Sequence, residues 1–342
     1  MPETILETFL KISDLHIGDF DVTGSAVVHA SWAKCKLFEG FLGHHYRALR
    51  ALCTFADGLR RRENAQLIVT GDLTSCGSQD QFRDATLYLA AKLPSSSTGL
   101  GLQWPAWSTA GISGNHDQWP GTNSVTGAAT AGLAATISPA PWIKILPRLA
   151  TGHFVTFMFV DTDADVGPMS MHRVFARGCF TSQLDELDSI LQAPLPQEVR
   201  VLVLHHSRSF GPGGPFSRLR ITHRSYAALN SFIVDKNIQV LLSGHIHAQY
   251  LNLDAVPTHD GSTRQLLECR CGTTTVRNAI PPNWRNLWGA FPAWKLRPNM
   301  AIVHRVVRKV DGTVVWRPEE YLLGPYGFAA KPSRAPIELV LL

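Results

Sequence analysis

"LKISDLHIGDF", Leu10 to Phe20, interrupts an apolar run with an acid and an imidazole. A strand turns residues i and i+2 to one face, so Asp14 and His16 can address a single point at its end. One such pair is commonplace, and its meaning depends on whether other strands close in the same way. They do: "AQLIVTG" leads to Asp72, "WSTAGISG" to Asn115, His116 and Asp117, "VRVLVL" to His205 and His206, and "IQVLLSG" to His245 and His247. Short β-rich runs closed by turn residues read as buried strands.

Helical periodicity fills the intervals, over Tyr46–Glu63, Asp80–Leu93, Thr181–Gln192 and Arg224–Asn237. Thr181, with Asp185 and Glu186 behind it, stands where a helix wants an N-cap and acids. "LRRRENA" (Leu59–Ala65) reads as a solvated last turn whose arginines complement the helix dipole. Strand then helix, repeated, predicts an α/β layered fold with its chemistry at the carboxyl ends of the strands.

The gross numbers narrow the class. With 342 residues, 45% hydrophobic and 17% charged, the chain is globular and can bury a substantial core. A net charge of +5 without a dense Lys/Arg run permits an anionic substrate and gives no argument for nucleic-acid binding. Six cysteines show no CxxC pair, and the "CRC" at Cys269–Cys271 has the wrong spacing for a zinc knuckle, so reduced thiols and a cytoplasmic location are expected. The N-terminus lacks a basic and an apolar region in signal-peptide order, and no apolar run approaches the ~20 residues of a membrane span.

Two segments break the rhythm. Trp119–Pro147 is rich in Gly, Ala, Ser, Thr and Pro, and reads as an irregular insertion of the kind that forms binding loops. Pro281–Pro298 is crowded with Trp and Pro, either a packed loop over a sheet edge or an aromatic wall. Beyond it, the chain reads as a hairpin around Asp311–Gly312. The expected organisation is a catalytic domain over 1–280 with a C-terminal elaboration, 281–342, packed on it.

Taken in order, D-x-H, G-D, G-N-H-D, H-H and G-H-x-H resemble the calcineurin-like metallophosphoesterase superfamily from about Lys11 to Ala248, and less fully over an expected strand "CRCGTTTV" (Cys269–Val276). That resemblance implies an αββα sandwich of four layers, two mixed β-sheets flanked by helices, with a dinuclear metal site at the strand ends. It implies that Asp14, His16, Asp72 and His247 hold one ion and that Asp72, Asn115, His205 and His245 hold the other, Asp72 bridging. An all-N/O donor set suits two divalent or mixed-valence ions of Mn, Fe, Zn, Co or Ni. With two anionic ligands, two +2 ions leave about +2 of charge for a bridging hydroxide, the expected nucleophile, and an anionic phosphate. His116 is expected to bond the phosphoryl oxygen and protonate the leaving alkoxide, Asp117 fixing its tautomer and orientation. His206 is expected behind the ligands, and His44, His45, His153 and His172 as surface or core residues.

"GDLTSCG" lacks the arginine carried by the phosphoprotein phosphatases of the family, and with it the fork for a dianionic monoester. "ISDLHIG", "GDLTSCGSQDQF", "GCFTSQLDEL" with Gly178, Gln183 and Leu184, and "SGHIH" most resemble the bacterial class III cyclic-nucleotide phosphodiesterase branch. The expected activity is hydrolysis of a small phosphodiester, with Trp119 either stacking on a base or packing the insertion onto the core. Alternatives are a nuclease, a nucleotide-sugar or lipid pyrophosphohydrolase, a phosphomonoesterase and a non-catalytic scaffold. No membrane partner is expected, and the oligomeric state is not readable.

Overall fold

In chain order the strands are β1 (Thr4–Ile12), β2 (Gln66–Thr70), β3 (Gly111–Ile112), β4 (Trp142–Ile145), β5 (Phe154–Phe159), β6 (Glu198–Val203), β7 (Val240–Ser243), β8 (Tyr250–Pro257), β9 (Thr263–Arg270), β10 (Met300–Arg308), β11 (Val314–Gly324), β12 (Gly327–Ala330) and β13 (Leu339–Leu341). The helices are α1 (Tyr46–Glu63), α2 (Gln79–Ala90), α3 (Thr181–Ile190) and α4 (His223–Asp235). The structure, a computed structural model, describes residues 2–18, 43–75, 77, 79–93, 99–118, 136–167, 170, 172, 176–208, 221–258, 261–275, 298–332 and 335–341.

The strands form two mixed sheets. The first runs β12-β11-β10-β1-β2-β3, with β13 beside β11; β1, β2 and β3 are parallel to one another. The second runs β4-β5-β6-β7-β9-β8, parallel from β5 to β9 and antiparallel at both edges. The central parallel strands are mostly apolar on both faces, as strands covered on both sides tend to be. Phe9 and Ile68 face inward and meet Phe157, Val201, Val203 and Leu242 of the other sheet. Leu10, Ile12, Leu67 and Val69 face outward, under Leu49, Leu52 and Ala56 of α1 and Ala85 and Leu89 of α2. Met158, Leu202, Leu204 and Leu241 do the same under α3 and α4. This alternation builds the expected four layers. Phe9 stacks on Trp316 at 5.5 Å and meets Phe157 edge-on at 5.2 Å, which seats the first sheet on the second.

The helix α1 ends as the sequence suggests, with arginines in its last turn and Asn64 left-handed at its C-cap. Other expectations need correction. Thr181 is the first residue of α3 rather than its cap; Phe180 precedes it, and the Asp165 carboxylate accepts from the Ser182 N–H at 2.9 Å in place of a local cap. The segment after Asn115-His116-Asp117 is not irregular throughout, because Trp142–Ile145 pairs with β5 as an edge strand. The strand expected over Cys269–Val276 ends at Arg270. Residues 119–135, with Trp119, and most of the Trp/Pro-rich segment, 281–297, lie outside the described residues. The hairpin about Asp311–Gly312 joins β10 to β11, and β10 pairs antiparallel with β1. Cys53, Cys179, Cys269 and Cys271 are free thiols, while Cys35 and Cys76 lie outside the described residues. Among the described residues no helix is long and apolar enough to cross a membrane.

Lys11 sits between the sheets. Fully buried on β1, it donates to the Ser243 carbonyl of β7 at 2.7 Å and the Cys269 carbonyl of β9 at 2.6 Å, a strut from one sheet to the other. Burial pulls its pKa down to about 8, partly opposed by the neighbouring Cys271, Cys269 and Asp14. Below that pH both folded and unfolded chains hold the proton, and folding carries the cost of a buried ammonium. Between about 8 and the ordinary 10.5 the unfolded chain holds more protons, so stability rises with pH there. The full gain is about 3 kcal/mol. Urea denaturation at pH 7 and pH 9.5 is expected to show a rise in the wild type that Lys11→Met lacks; parallel behaviour of the two proteins would rule out a titrating Lys11.

Candidate metal centre

The carboxyl ends of β1, β2 and β3 in one sheet, and of β6 and β7 in the other, converge. The first sheet supplies Asp14 and His16, Asp72, and Asn115 with His116. The second supplies His205, His245 and His247. All seven residues expected as ligands meet there, in two groups that share one atom.

In the first group, Asp14 Oδ1 lies 3.3 Å from His247 Nε2, and His247 Nε2 lies 3.2 Å from His16 Nε2. Asp72 Oδ2 lies 3.4 Å from His16 Nε2. In the second, the same Asp72 Oδ2 lies 3.3 Å from His205 Nε2. Asn115 Oδ1 completes it, 3.1 Å from His205 Nε2 and 2.9 Å from His245 Nδ1. A tetrahedral N/O shell with bonds of ~2.0–2.1 Å has edges of roughly 3.3 Å, so these are ligand-to-ligand spacings. Asp14 Oδ1 is buried without a hydrogen-bond partner, a costly state for a carboxylate oxygen that an ion removes. Asp14, His16, Asp72 and His247 form one set able to hold a metal ion, and Asp72, His205 and His245 another.

The surroundings prepare these donors. The Thr70 carbonyl faces His205 Nδ1 at 2.8 Å, fixing the proton there and leaving Nε2 as the ligand atom. Burial holds His16 and His245 well below the usual imidazole range, so both are neutral donors. Asp72 and His205 form a buried ion pair. Burial opposes both charges, yet the neighbouring imidazoles, His205 foremost, hold the carboxyl well below its usual range, and Asp72 lifts His205 to about 10. A metal ion held by these residues would take the place of that proton.

Backbone conformation is spent on this geometry. Asp14, His16, Asp72, His245 and His247 have φ of 52°, 46°, 51°, 74° and 49°, left-handed values that cost a non-glycine residue about 1–3 kcal/mol and persist only where neighbours over-determine them. Gly71, at φ 91°, turns the chain into Asp72, and a Cβ there would lie 2.4 Å from His205 Nδ1. Gly114 is needed for close approach instead, since its Cβ would meet Asp72 Oδ1 at 2.2 Å. Gly114→Ala is therefore expected to displace the shared carboxylate and lower metal affinity at least ~10-fold, read by calorimetry on the folded protein.

His116 packs edge-on to His16 with ring centroids 4.6 Å apart. Its Nδ1 lies 2.9 Å from the Ser75 carbonyl and so carries the proton, leaving Nε2 for a substrate. Asp117 does not orient this ring, contrary to expectation. Its carboxylate accepts from the Leu73, Thr74 and Gly114 N–H groups at 3.0, 2.8 and 2.9 Å and from the Thr74 hydroxyl at 2.8 Å, lacing the β2 loop to the β3 loop. Ser75, which holds His116 by a backbone carbonyl, leaves no signature in side-chain chemistry. His206 meets Thr162 Oγ1 and the Ala176 carbonyl at 2.7 and 3.1 Å. A Cβ on Gly178 would strike the His206 ring at 2.9 Å, and Gln183 bonds Asp161 N and the Ala140 carbonyl, so the Gly-to-Gln segment packs behind the second group. His45 caps α1, His44 accepts from Gly18 N at 3.0 Å, and His153 bonds Thr151.

The sequence model of the calcineurin-like phosphoesterases matches residues 8–249, the span that carries every one of these donors. The chain belongs to that family. It is thus a metallophosphoesterase by family, with a centre whose donors suit transition metals. No curated protein matches it in sequence. Among solved structures, purple acid phosphatase PPD1 from yellow lupin (Lupinus luteus) seeds is 11% identical, covering 98% of this chain and 54% of that one, with a TM-score of 0.49. A candidate 5′-nucleotidase from Staphylococcus aureus is 13% identical over 98% of this chain and 54% of its own, TM-score 0.41. An uncharacterized protein of Streptococcus pneumoniae, assigned as a phosphoesterase, is 10% identical over 99% of each chain, TM-score 0.33. The chain spans about half the length of the first two, and the family assignment rests on none of the three.

Proposed function

We propose that this metallophosphoesterase is a phosphodiesterase that holds two divalent or mixed-valence transition-metal ions and hydrolyses a small phosphodiester, with cyclic nucleotides the first candidates. The observation that carries the reading is the single oxygen, Asp72 Oδ2, facing His16 and His205 at once. Asp14, His16, Asp72 and His247 would hold one ion, and Asp72, Asn115, His205 and His245 the other. Bound there, such a pair supplies Lewis acidity and lowers the pKa of water.

The remaining chemistry belongs to the chain. In its imidazolium form His116, with Nδ1–H held by the Ser75 carbonyl, would donate from Nε2–H to a phosphoryl oxygen and pass that proton to the leaving alkoxide, returning to the neutral ring. Asp117 keeps the β2 and β3 loops in register, so Asp72 and His116 stay adjacent; the His116 N–H donates to Asp72 Oδ1 at 2.9 Å. The three residues after Asp72 support a preference for a diester. Leu73, Thr74 and Ser75 are buried, with the Thr74 hydroxyl bonded to Asp117 and the Ser75 hydroxyl to the His16 carbonyl. No cation stands in that stretch to neutralise the second charge of a monoester.

The test compares bis(p-nitrophenyl) phosphate with p-nitrophenyl phosphate, with Mn²⁺ and with chelator. Chelator-sensitive preference for the diester is the expected result. Preference for the monoester makes the protein a phosphatase and overturns the diester reading.

A further inference from the structure

Beyond Arg270 the chain leaves β9 and crosses to the other sheet, where three consecutive threonines, Thr273, Thr274 and Thr275, lie against the loop after β1. All three are buried, with at most 1% exposure. A buried hydroxyl is costly unless it is bonded, and each of these is bonded to the same short stretch. The Thr273 hydroxyl donates to the Asp14 carbonyl at 2.9 Å, and the Thr275 hydroxyl to the Leu15 carbonyl at 2.5 Å. Between them, Thr274 Oγ1 accepts from the Ser13 N–H at 3.0 Å while the Thr274 N–H donates to the Ser13 carbonyl at 2.9 Å. From the opposite side, the Gly71, Asp72 and Leu73 carbonyls take the N–H groups of Asp14, His16 and Ile17 at 3.0, 3.0 and 2.8 Å. The loop is gripped on both flanks.

The grip has a purpose because the loop is strained. Asp14 and His16 are both left-handed, and neither has the freedom of glycine. In that conformation the Asp14 carbonyl turns away from the ladder of β1, and the Thr273 hydroxyl receives it. Asp14 Oδ1 is left without a hydrogen bond, 3.3 Å from His247 Nε2, while Oδ2 is occupied by the Ser13 hydroxyl at 2.5 Å and the His245 N–H at 3.1 Å. Threonine suits the task better than serine, because β-branching restricts χ1 and aims the hydroxyl. The strap ties the second sheet, which carries His205, His245 and His247, to the backbone of the first sheet's Asp14.

We propose that Thr273 and Thr275 are positioning residues for the Asp14–His16–Asp72–His247 group, setting its metal affinity through the Asp14 backbone; the inference rests on the proposed metal centre. The test uses Mn²⁺ titrated calorimetrically into chelator-stripped full-length protein. Two backgrounds isolate the groups: His205→Ala leaves the first intact, and Asp14→Ala leaves only the second. Thr273→Val is expected to weaken Mn²⁺ binding about tenfold in the His205→Ala background and to leave the Asp14→Ala background unchanged. Thr273→Ser should restore most of the loss. Equal Mn²⁺ affinity with and without Thr273→Val, whatever happens to the melting temperature, reduces the strap to ordinary packing and overturns the inference. If Thr273→Val does not fold, Thr275→Val carries the same comparison. Failure of the wild type to bind Mn²⁺, Fe²⁺, Zn²⁺, Co²⁺ or Ni²⁺ overturns the metal centre and this inference with it; metal binding without diester hydrolysis overturns the proposed substrate class alone.

Discussion

Asp72→Asn is expected to lower kcat/KM for a phosphodiester by roughly 10³-fold or more and to leave fewer than two metal ions per chain. The amide is nearly the same size as the carboxylate, so the fold tolerates it, and one oxygen can still accept the His116 N–H as Oδ1 does now at 2.9 Å. What disappears is the negative charge at the one atom that faces both His16 and His205, at 3.4 and 3.3 Å. Two cations at ~3.5–4 Å repel strongly, and only an anion between them offsets that repulsion. Metal content by mass spectrometry and steady-state kinetics check the result together. A variant that keeps two ions and near wild-type turnover removes the shared-carboxylate model.

The second large effect depends on the substrate. His116→Ala is expected to keep both metals and lose about 10²–10⁴ in rate on a diester with an alkyl leaving group. On a nitrophenyl diester, whose leaving oxygen needs little protonation, the loss should be much smaller. The contrast comes from geometry: Ser75 takes Nδ1, so Nε2 is the nitrogen left to serve the leaving oxygen, and His116 is absent from both metal-holding groups. Plotting log rate against leaving-group pKa for wild type and variant gives the measurement. Parallel lines would assign His116 to binding of the phosphoryl group rather than to proton transfer.

The positions of the donors were legible because strand chemistry is local. A parallel strand buried on both faces must be apolar, so the first polar residues after each run mark its end, and β1, β2, β3, β6 and β7 end at Ile12, Thr70, Ile112, Val203 and Ser243. The helices were legible for the same reason, through periodicity and caps. Contacts made by backbone atoms were not. Ser75 acts on His116 through a carbonyl and Asp117 acts on amide groups of Leu73, Thr74 and Gly114, so the expected Asp117–His116 contact failed although both residues belong to the site region. The strand expected over "CRCGTTTV" stops at Arg270, and its threonines serve the other sheet. Lys11, in a run otherwise apolar, gave no hint that its ammonium would reach two carbonyls across the sandwich.

Periodicity in the sequence by itself determined the α/β class of fold, and its motifs, through their resemblance to the calcineurin-like family, pointed to the four layers and to the residues that meet at the candidate metal centre. Only the tertiary structure decided which oxygen of Asp72 is shared, which nitrogen of His116 is left for a substrate, and what holds Asp14 in a left-handed conformation. Those depend on distances between β1, β2 and the strap beyond β9, segments separated by up to 261 residues. Folding brings them together, and no local pattern encodes the ångströms between them.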